Sequence, residues 1–433
     1  MQQLSLAWLQ AGIALMAFVS LLPYFLWSYQ KPAYAVATSI VLAAAAGSFP
    51  AFELHRSRLV LSVAFGLFLV YLSVLPKVHG GTTRWFLLIP FVVVLLHLRT
   101  AHLQRAFAVF HWLFALSLLP GMLLWILLLA GVPLELGYIT PPADIVQRGV
   151  TEYVEWPGAV FMLANGIVLP HGGVLFRLCA VYDEPGTVGT ISALCLAATR
   201  FRLGDVKGAI SLAAGLMSLS IAFAALSVAG LLATALAAKR PALLPVALLC
   251  AAVGFVPLSG MKFGDVAAGN MTIVIPAGIQ ASLPSTPSAT LPAGADGSLR
   301  QRFVPAPEWG LRNTPGLDSR SQPWMRTLLG DYLASPVATL MFGVASDASI
   351  VHGWGSSVWY RILTDFGIVG FLWLFALFAW PPFQLWRHGR LHAGVVIFCG
   401  LFLMSFYQRP IIWLPAQLLI YFAGLYRNTR DDI

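Results

Sequence analysis

Charge is scarce in this chain. Only 10% of its 433 residues are Asp, Glu, Lys or Arg, against 59% hydrophobic residues and a mean hydropathy of +0.81. A water-soluble domain carries about a quarter charged residues, so a soluble globular fold is excluded and an integral membrane protein is expected. Cysteine is scarce as well. Cys179, Cys195, Cys250 and Cys399 show no metal-ligand or redox spacing, and three of them lie in apolar runs, so cysteine defines no chemistry. No metal-ligand cluster is visible, and no cofactor is called for. No internal repeat is visible either, which argues against the two related halves of many secondary transporters. The net charge of +9 is explained first by membrane topology, and no nucleic-acid partner is expected.

What is abundant is apolar runs near the length of about 20 residues that a helix needs to cross a bilayer. The first, Ser5 to Trp27, has no basic region before it and no small-residue cleavage site, so a retained first span is expected. Six basic clusters separate the runs: His55 to Arg58, Arg99 to Arg105, Arg200 to Lys207, Lys239-Arg240, Arg387 to His392 and Arg427 to Arg430. The positive-inside rule assigns all six to the cytoplasm. The run from Gly208 to Ala238 decides whether that is possible. As one helix it would be ~46 Å long and would send Lys239-Arg240 outward. Split near Ala222 into two short helices, it keeps every cluster inside.

The expected fold is therefore an all-α polytopic membrane protein of about twelve transmembrane helices with both termini cytoplasmic. Residues 1–130 and 187–258 hold the N-terminal and central helices, and 360–433 the C-terminal helices and tail. Residues 131–186 form a first outer segment, and 259–359 a large outer loop between the ninth and tenth spans. In the first outer segment, "AVFMLANGIVLPHGG" is too short and too broken by Gly and Asn to span, and is expected to be re-entrant or interfacial. It leads into Arg177, Asp183 and Glu184 at the membrane boundary, where ionisable residues are functional candidates. The bland alternative is a salt bridge from Arg177 to Glu184 that orders a turn.

The large loop carries Arg300, Arg302, Arg312, Arg320 and Arg326 with Trp309 and Trp324, and no lysine between Arg300 and Arg326. Guanidinium offers a planar fork suited to phosphate or carboxylate, and tryptophan a flat face on which sugars stack. The alternative is that these arginines are solvated or pair with Glu308, Asp318 and Asp331. Beyond them His352 and Asp347 lie just outside the tenth span, with Tyr360-Arg361 at its edge. Histidine is a common general base.

The segment "RLCAVYDEPGTVGTISALCL", with Arg177 eight residues before Pro185, resembles the Arg-x-x-Gly-x-x-x-(Asn/Glu)-Pro-(Asn/Gly) motif of the O-antigen polymerase and ligase superfamily. Ala180 stands where that motif has glycine. The split pair at Gly208 to Ala238 and "SSVWYRILTDFGIVGFLWLF" are similar to two further family features, with Ser356 at the usual histidine position and His352 one helical turn earlier. The acidic "DEPG" is closer to exopolysaccharide-type polymerases. The resemblance implies a C-type glycosyltransferase-like (GT-C) bundle in the bacterial inner membrane with its active site at the periplasmic face. It implies a polymerase that joins lipid-linked repeat units, with an O-antigen ligase as the alternative and a flippase or transporter as the third reading. The partners implied are an undecaprenyl-diphosphate-linked glycan and membrane lipid, with a chain-length regulator as a further candidate. Diphosphate contacts are expected from Arg177 and from one or more of Arg302, Arg312, Arg320, Arg326 and Arg361. The base is expected to be Glu184 or His352, with Asp183 and Asp347 behind them.

Overall fold

The computed structural model describes residues 2–77, 83–130, 132, 134–139, 153–161, 167–168, 174–255, 329–345, 360–409 and 411–429. Helix dominates them. The helices are α1 (Gln2–Val19), α2 (Gln30–Ala46), α3 (Arg56–Val74), α4 (Ile89–His97), α5 (Thr100–Leu129), α6 (Pro185–Ala198), α7 (Val206–Met217), α8 (Ile221–Ala237), α9 (Leu244–Phe255), α10 (Val337–Phe342), α11 (Tyr360–Arg387), α12 (Ala393–Gln408) and α13 (Pro415–Asn428). Three of them, α3, α5 and α11, are long and apolar enough to cross a membrane, or four if the bent pair α1 and α2 counts as one span.

Helices α1 and α2 fold back on one another: a side chain at Gly47 would meet Ser5, and one at Gly12 would meet Ile40 and Val41. The run from Gly208 to Ala238 is two helices, with α7 ending at Met217 and α8 starting at Ile221. Leu219, at φ 46, makes the corner between them.

The basic clusters gather at one end of the bundle. Arg58 donates to the Leu98 carbonyl at 3.1 Å, and Glu53 lies 3.7 Å from both Arg58 and Arg99. Arg200 donates to the Asn428 side chain at 3.2 Å and to the Arg427 carbonyl at 3.1 Å. Arg58 stacks over Tyr426, and Gln104 donates to the Ala423 carbonyl at 2.6 Å. The start of α12 meets Asn428 through Gly394. Helix α8 runs alongside α6 from Gly189 and Ser220 down to Phe201 and Gly230, which carries Lys239-Arg240 to the same end.

These contacts align α3, α5, α6 and α13 at the basic end, so their lengths decide how high each rises. At 1.5 Å per residue, the 14 residues of α6 and of α13 reach about 21 Å, the 19 of α3 about 28 Å and the 30 of α5 about 45 Å. The far ends of α6 and α13 are thus sunk below those of their neighbours. Every residue of α6 is buried, as are most of α13. The small residues of α6 (Gly186, Gly189, Ala193, Ala197, Ala198) let neighbouring backbones approach closely. By contrast α5 exposes Trp112, Leu116, Leu119, Leu123, Ile126 and Leu129 at helical spacing, an apolar stripe suited to lipid.

The first outer segment carries strands ahead of its charged residues. It forms a three-stranded antiparallel sheet of β1 (Gly137–Ile139), β2 (Tyr153–Trp156) and β3 (Ala159–Phe161), followed by a two-stranded pair, β4 (Ile167–Val168) and β5 (Val174–Leu175). The bundle is therefore helical with a small β cap. Gly158, at φ 80, makes the β2 to β3 turn and lies against Pro120 of α5.

Helix α11 is not one continuous helix. It is interrupted at Gly367, whose φ of 69 and ψ of −179 are not helical. Gly367 meets Gly343, itself at φ 86, just past the end of α10. A side chain on Gly367 would run into the Met341 carbonyl, and one on Gly343 into that of Asp365. The two backbones are in contact because neither position has a Cβ.

Candidate functional site

The site is built on residues 176 to 184, a strip that turns at Ala180 and is clamped from four directions. Helix α5 holds it through Trp125, whose indole donates to the Phe176 carbonyl at 2.7 Å, and through Ser117, whose hydroxyl is 2.7 Å from that of Tyr182. The β cap holds it through the Val160 amide on the Ala180 carbonyl at 2.7 Å and the Tyr153 hydroxyl on the Asp183 carbonyl at 3.0 Å. The turn after α1 gives the Tyr24 amide to the Val181 carbonyl at 2.7 Å. At the corner between α7 and α8, the Leu178 amide donates to the Met217 carbonyl at 3.1 Å, and Arg177 Nε to that of Ser218 at 3.2 Å. So many main-chain bonds to one short strip fix the position of its charged side chains to within little freedom.

The strip ends in the charge cluster. Thr187, one turn into α6, donates to Asp183 Oδ1 at 3.1 Å. Its hydroxyl in turn accepts from Arg409 Nη2, and the same nitrogen pairs with Glu184 Oε1. Asp183 is buried, and the Glu184 and Arg409 side chains are 13% and 18% exposed. Arg177 lies outside the membrane-spanning helices. Burial draws its pKa below the ordinary arginine value, and the neighbouring Glu184 carboxylate opposes the shift. Two guanidiniums and two carboxylates thus share one recess. It lies part-way along α5: Ser117 is level with Tyr182, and the rest of α5, Ser117 to Leu129, continues about 18 Å beyond, flanked by the β cap.

Ala180 shows why glycine suits its place in the resembled motif. Its φ is 53, a left-handed conformation that costs a non-glycine residue about 1–2 kcal/mol. It faces Gly121 of α5, where an added Cβ would stand 2.5 Å from the Ala180 Cα. We expect Ala180→Gly to leave stability within about 1 kcal/mol of wild type, the relieved strain offsetting one lost buried methyl. Ala180→Val puts a β-branched side chain at positive φ against α5. It should lower the thermal unfolding midpoint in detergent by the equivalent of about 3 kcal/mol. Equal midpoints for the two variants would contradict the left-handed strip.

No family model, no curated protein and no solved structure matches the chain. What can be said of the site comes from its own geometry. The structure brings together Arg177, Asp183 and Glu184. Arg361 lies at the same end of the bundle, but its Nε is 3.3 Å from the fully buried Asp365 one turn later, so part of its fork is engaged in bracing the start of α11. That start reaches the site's neighbourhood through Phe366, which packs on Trp413 at 5.9 Å, four residues after Arg409. His352, Asp347, Arg302, Arg312, Arg320 and Arg326 lie outside the described residues.

The residue that the sequence reading missed is Arg409. It stands in "SFYQRPIIW" between α12 and α13, a lone cation followed by proline. The signal available was its sidedness: it is basic yet falls at the end away from all six basic clusters, where a cation runs against the positive-inside bias. Thr187 and Ser218, the polar groups that seat the two arginines, carried no such signal.

Proposed function

We propose that the protein is a polysaccharide polymerase of the bacterial inner membrane, crossing it twelve times with both termini in the cytoplasm and the recess facing the periplasm. It takes a growing glycan from an undecaprenyl-diphosphate donor and adds it to the non-reducing end of a second lipid-linked repeat unit. The observation that carries this reading is the recess itself, where Arg177, Arg409, Asp183 and Glu184 lie within reach of one another at the end opposite the basic clusters, beside an α5 whose outer face is apolar. Such a recess suits a substrate with a charged diphosphate and a hydrocarbon tail.

In the transfer, an acceptor hydroxyl oxygen attacks the donor's anomeric carbon. The bond from that carbon to the diphosphate oxygen breaks, and the diphosphate leaves with the electron pair. The hydroxyl proton passes to a carboxylate, Glu184 or Asp183. Fixed positive charge at the leaving diphosphate stabilises the transition state without reorganising, and a carboxylate at hydrogen-bond distance from the acceptor supplies the base. A transporter would instead want related halves and charges strung along the path.

The test is the lipid-linked glycan profile of a deletion strain complemented with wild type or with site variants. Single lipid-linked repeat units should accumulate in the deletion strain and with Arg409→Ala, while wild type restores long chains. Long lipid-linked chains in the deletion strain would indicate a ligase that moves finished glycan onto lipid A-core. An unchanged profile would refute both.

A further inference from the structure

Arg409 has donors to spare. A guanidinium carries five N–H groups in a planar fork, and the contacts of Arg409 to Glu184 and Thr187 both use Nη2. Its Nε is buried with no hydrogen-bond partner among the described residues. A fork engaged through one nitrogen can accept a two-oxygen anion that Glu184, as now placed, does not satisfy. Arg409 also reaches the cluster from a different part of the chain than Arg177 does, so the two cations bracket Glu184 from separate supports, the loop before α13 and the strip before α6.

From this we infer that Arg409 exchanges partners. In the empty protein it holds Glu184. In the loaded protein it holds phosphate oxygens of a prenyl diphosphate, leaving the Glu184 carboxylate beside the acceptor. The inference rests on the polymerase reading for its substrate class. Physically it is a competition between two anions for one cation in a recess of low dielectric, where charge-assisted hydrogen bonds are strong. Its consequence for the chemistry is that a carboxylate that loses one of its two neighbouring cations holds a proton more readily. Glu184 therefore becomes a better base only when the leaving group is seated, which couples acceptor activation to donor binding.

The exchange predicts opposite effects from removing its two partners. The full-length protein in detergent is titrated with a short-chain prenyl diphosphate, and affinity is read from the rise in thermal unfolding midpoint. Glu184→Gln removes the competing anion, and should bind the probe about tenfold tighter than wild type, while yielding no polymer in cells. Arg409→Ala should bind it at least about tenfold more weakly. Arg409→Lys keeps a charge for Glu184 but loses the fork; it should unfold near the wild-type midpoint without ligand and still bind about tenfold more weakly. A static ion pair that only supports the fold would weaken probe binding alike when either partner is removed, and that result overturns the exchange. So does an Arg409→Lys variant with wild-type affinity, or a wild type that the probe does not protect. The binding assay needs no glycan. A glycan profile that rules out a polymerase, together with opposite shifts here, would retain the exchange in a protein handling prenyl diphosphates for another purpose.

Discussion

Arg177→Ala and Arg177→Lys are both expected to abolish polymer while leaving protein in the membrane at wild-type level. Arg177 joins two parts of the site: its Nε donates to the Ser218 carbonyl at the α7 to α8 corner, and its charge interacts with that of Glu184. Alanine removes the cation and the bond. Lysine keeps a charge but presents a single ammonium at the end of a flexible stem, so it cannot bond the Ser218 carbonyl and a diphosphate oxygen in one plane. Loss of one preorganised donor to a developing anion typically reduces turnover by about 10²–10³-fold, or roughly 3–4 kcal/mol of barrier. The measurement is polymer yield against immunodetected protein, with lipid-linked single units as the accumulating species. Normal polymer from Arg177→Lys would show that charge alone suffices and that the fork is not used.

Gly367→Ala is expected to be strongly destabilising. The combination of φ 69 and ψ −179 at Gly367 belongs to a region populated almost only by glycine, and a side chain there costs about 1–3 kcal/mol. The added methyl also runs into the Met341 carbonyl, with no flexible side chain able to yield, and overpacking of this kind costs about 1–3 kcal/mol more. The two effects add at one site, so the crossing of α10 and α11 should open. Tyr71, which donates to the Phe366 carbonyl at 2.6 Å, would lose its acceptor with it. The check is the thermal unfolding midpoint beside Gly400→Ala. That glycine meets nothing within 4 Å of an added Cβ and should tolerate the change. Equal midpoints for the two would show that α11 runs through Gly367 as ordinary helix.

The parts of this architecture that the sequence made legible are those fixed by length and charge. The break between α7 and α8 follows from a run too long for one span with a lysine-arginine pair at its end. The strip from Arg177 to Glu184 announces itself because ionised groups beside apolar runs are costly and so need a reason. What stayed hidden depends on partners distant in the chain. Arg409 meets Thr187 across 222 residues, and nothing local to "YQRPI" says so. The β cap was obscured because strands of two to four residues leave almost no periodicity to read. The Gly343 and Gly367 contact is a tertiary one, and each glycine alone reads as an ordinary helix or loop residue.

The shortness of α6 and α13 bears on how the protein is made. A helix of about 21 Å cannot by itself stay across about 30 Å of hydrocarbon, and these two are sheathed by protein over nearly all their residues. Neither can be settled in a bilayer by its own partitioning as it leaves the ribosome; α6 is enclosed by α7, α8, α12 and α13, which follow it in the chain. Arg409 lies 222 residues after Thr187, so its contact with Glu184 and Thr187 forms only after the intervening chain has been synthesised. Until Arg409 has been made, Glu184 has Arg177 beside it but not Arg409, so the second cation joins the cluster late.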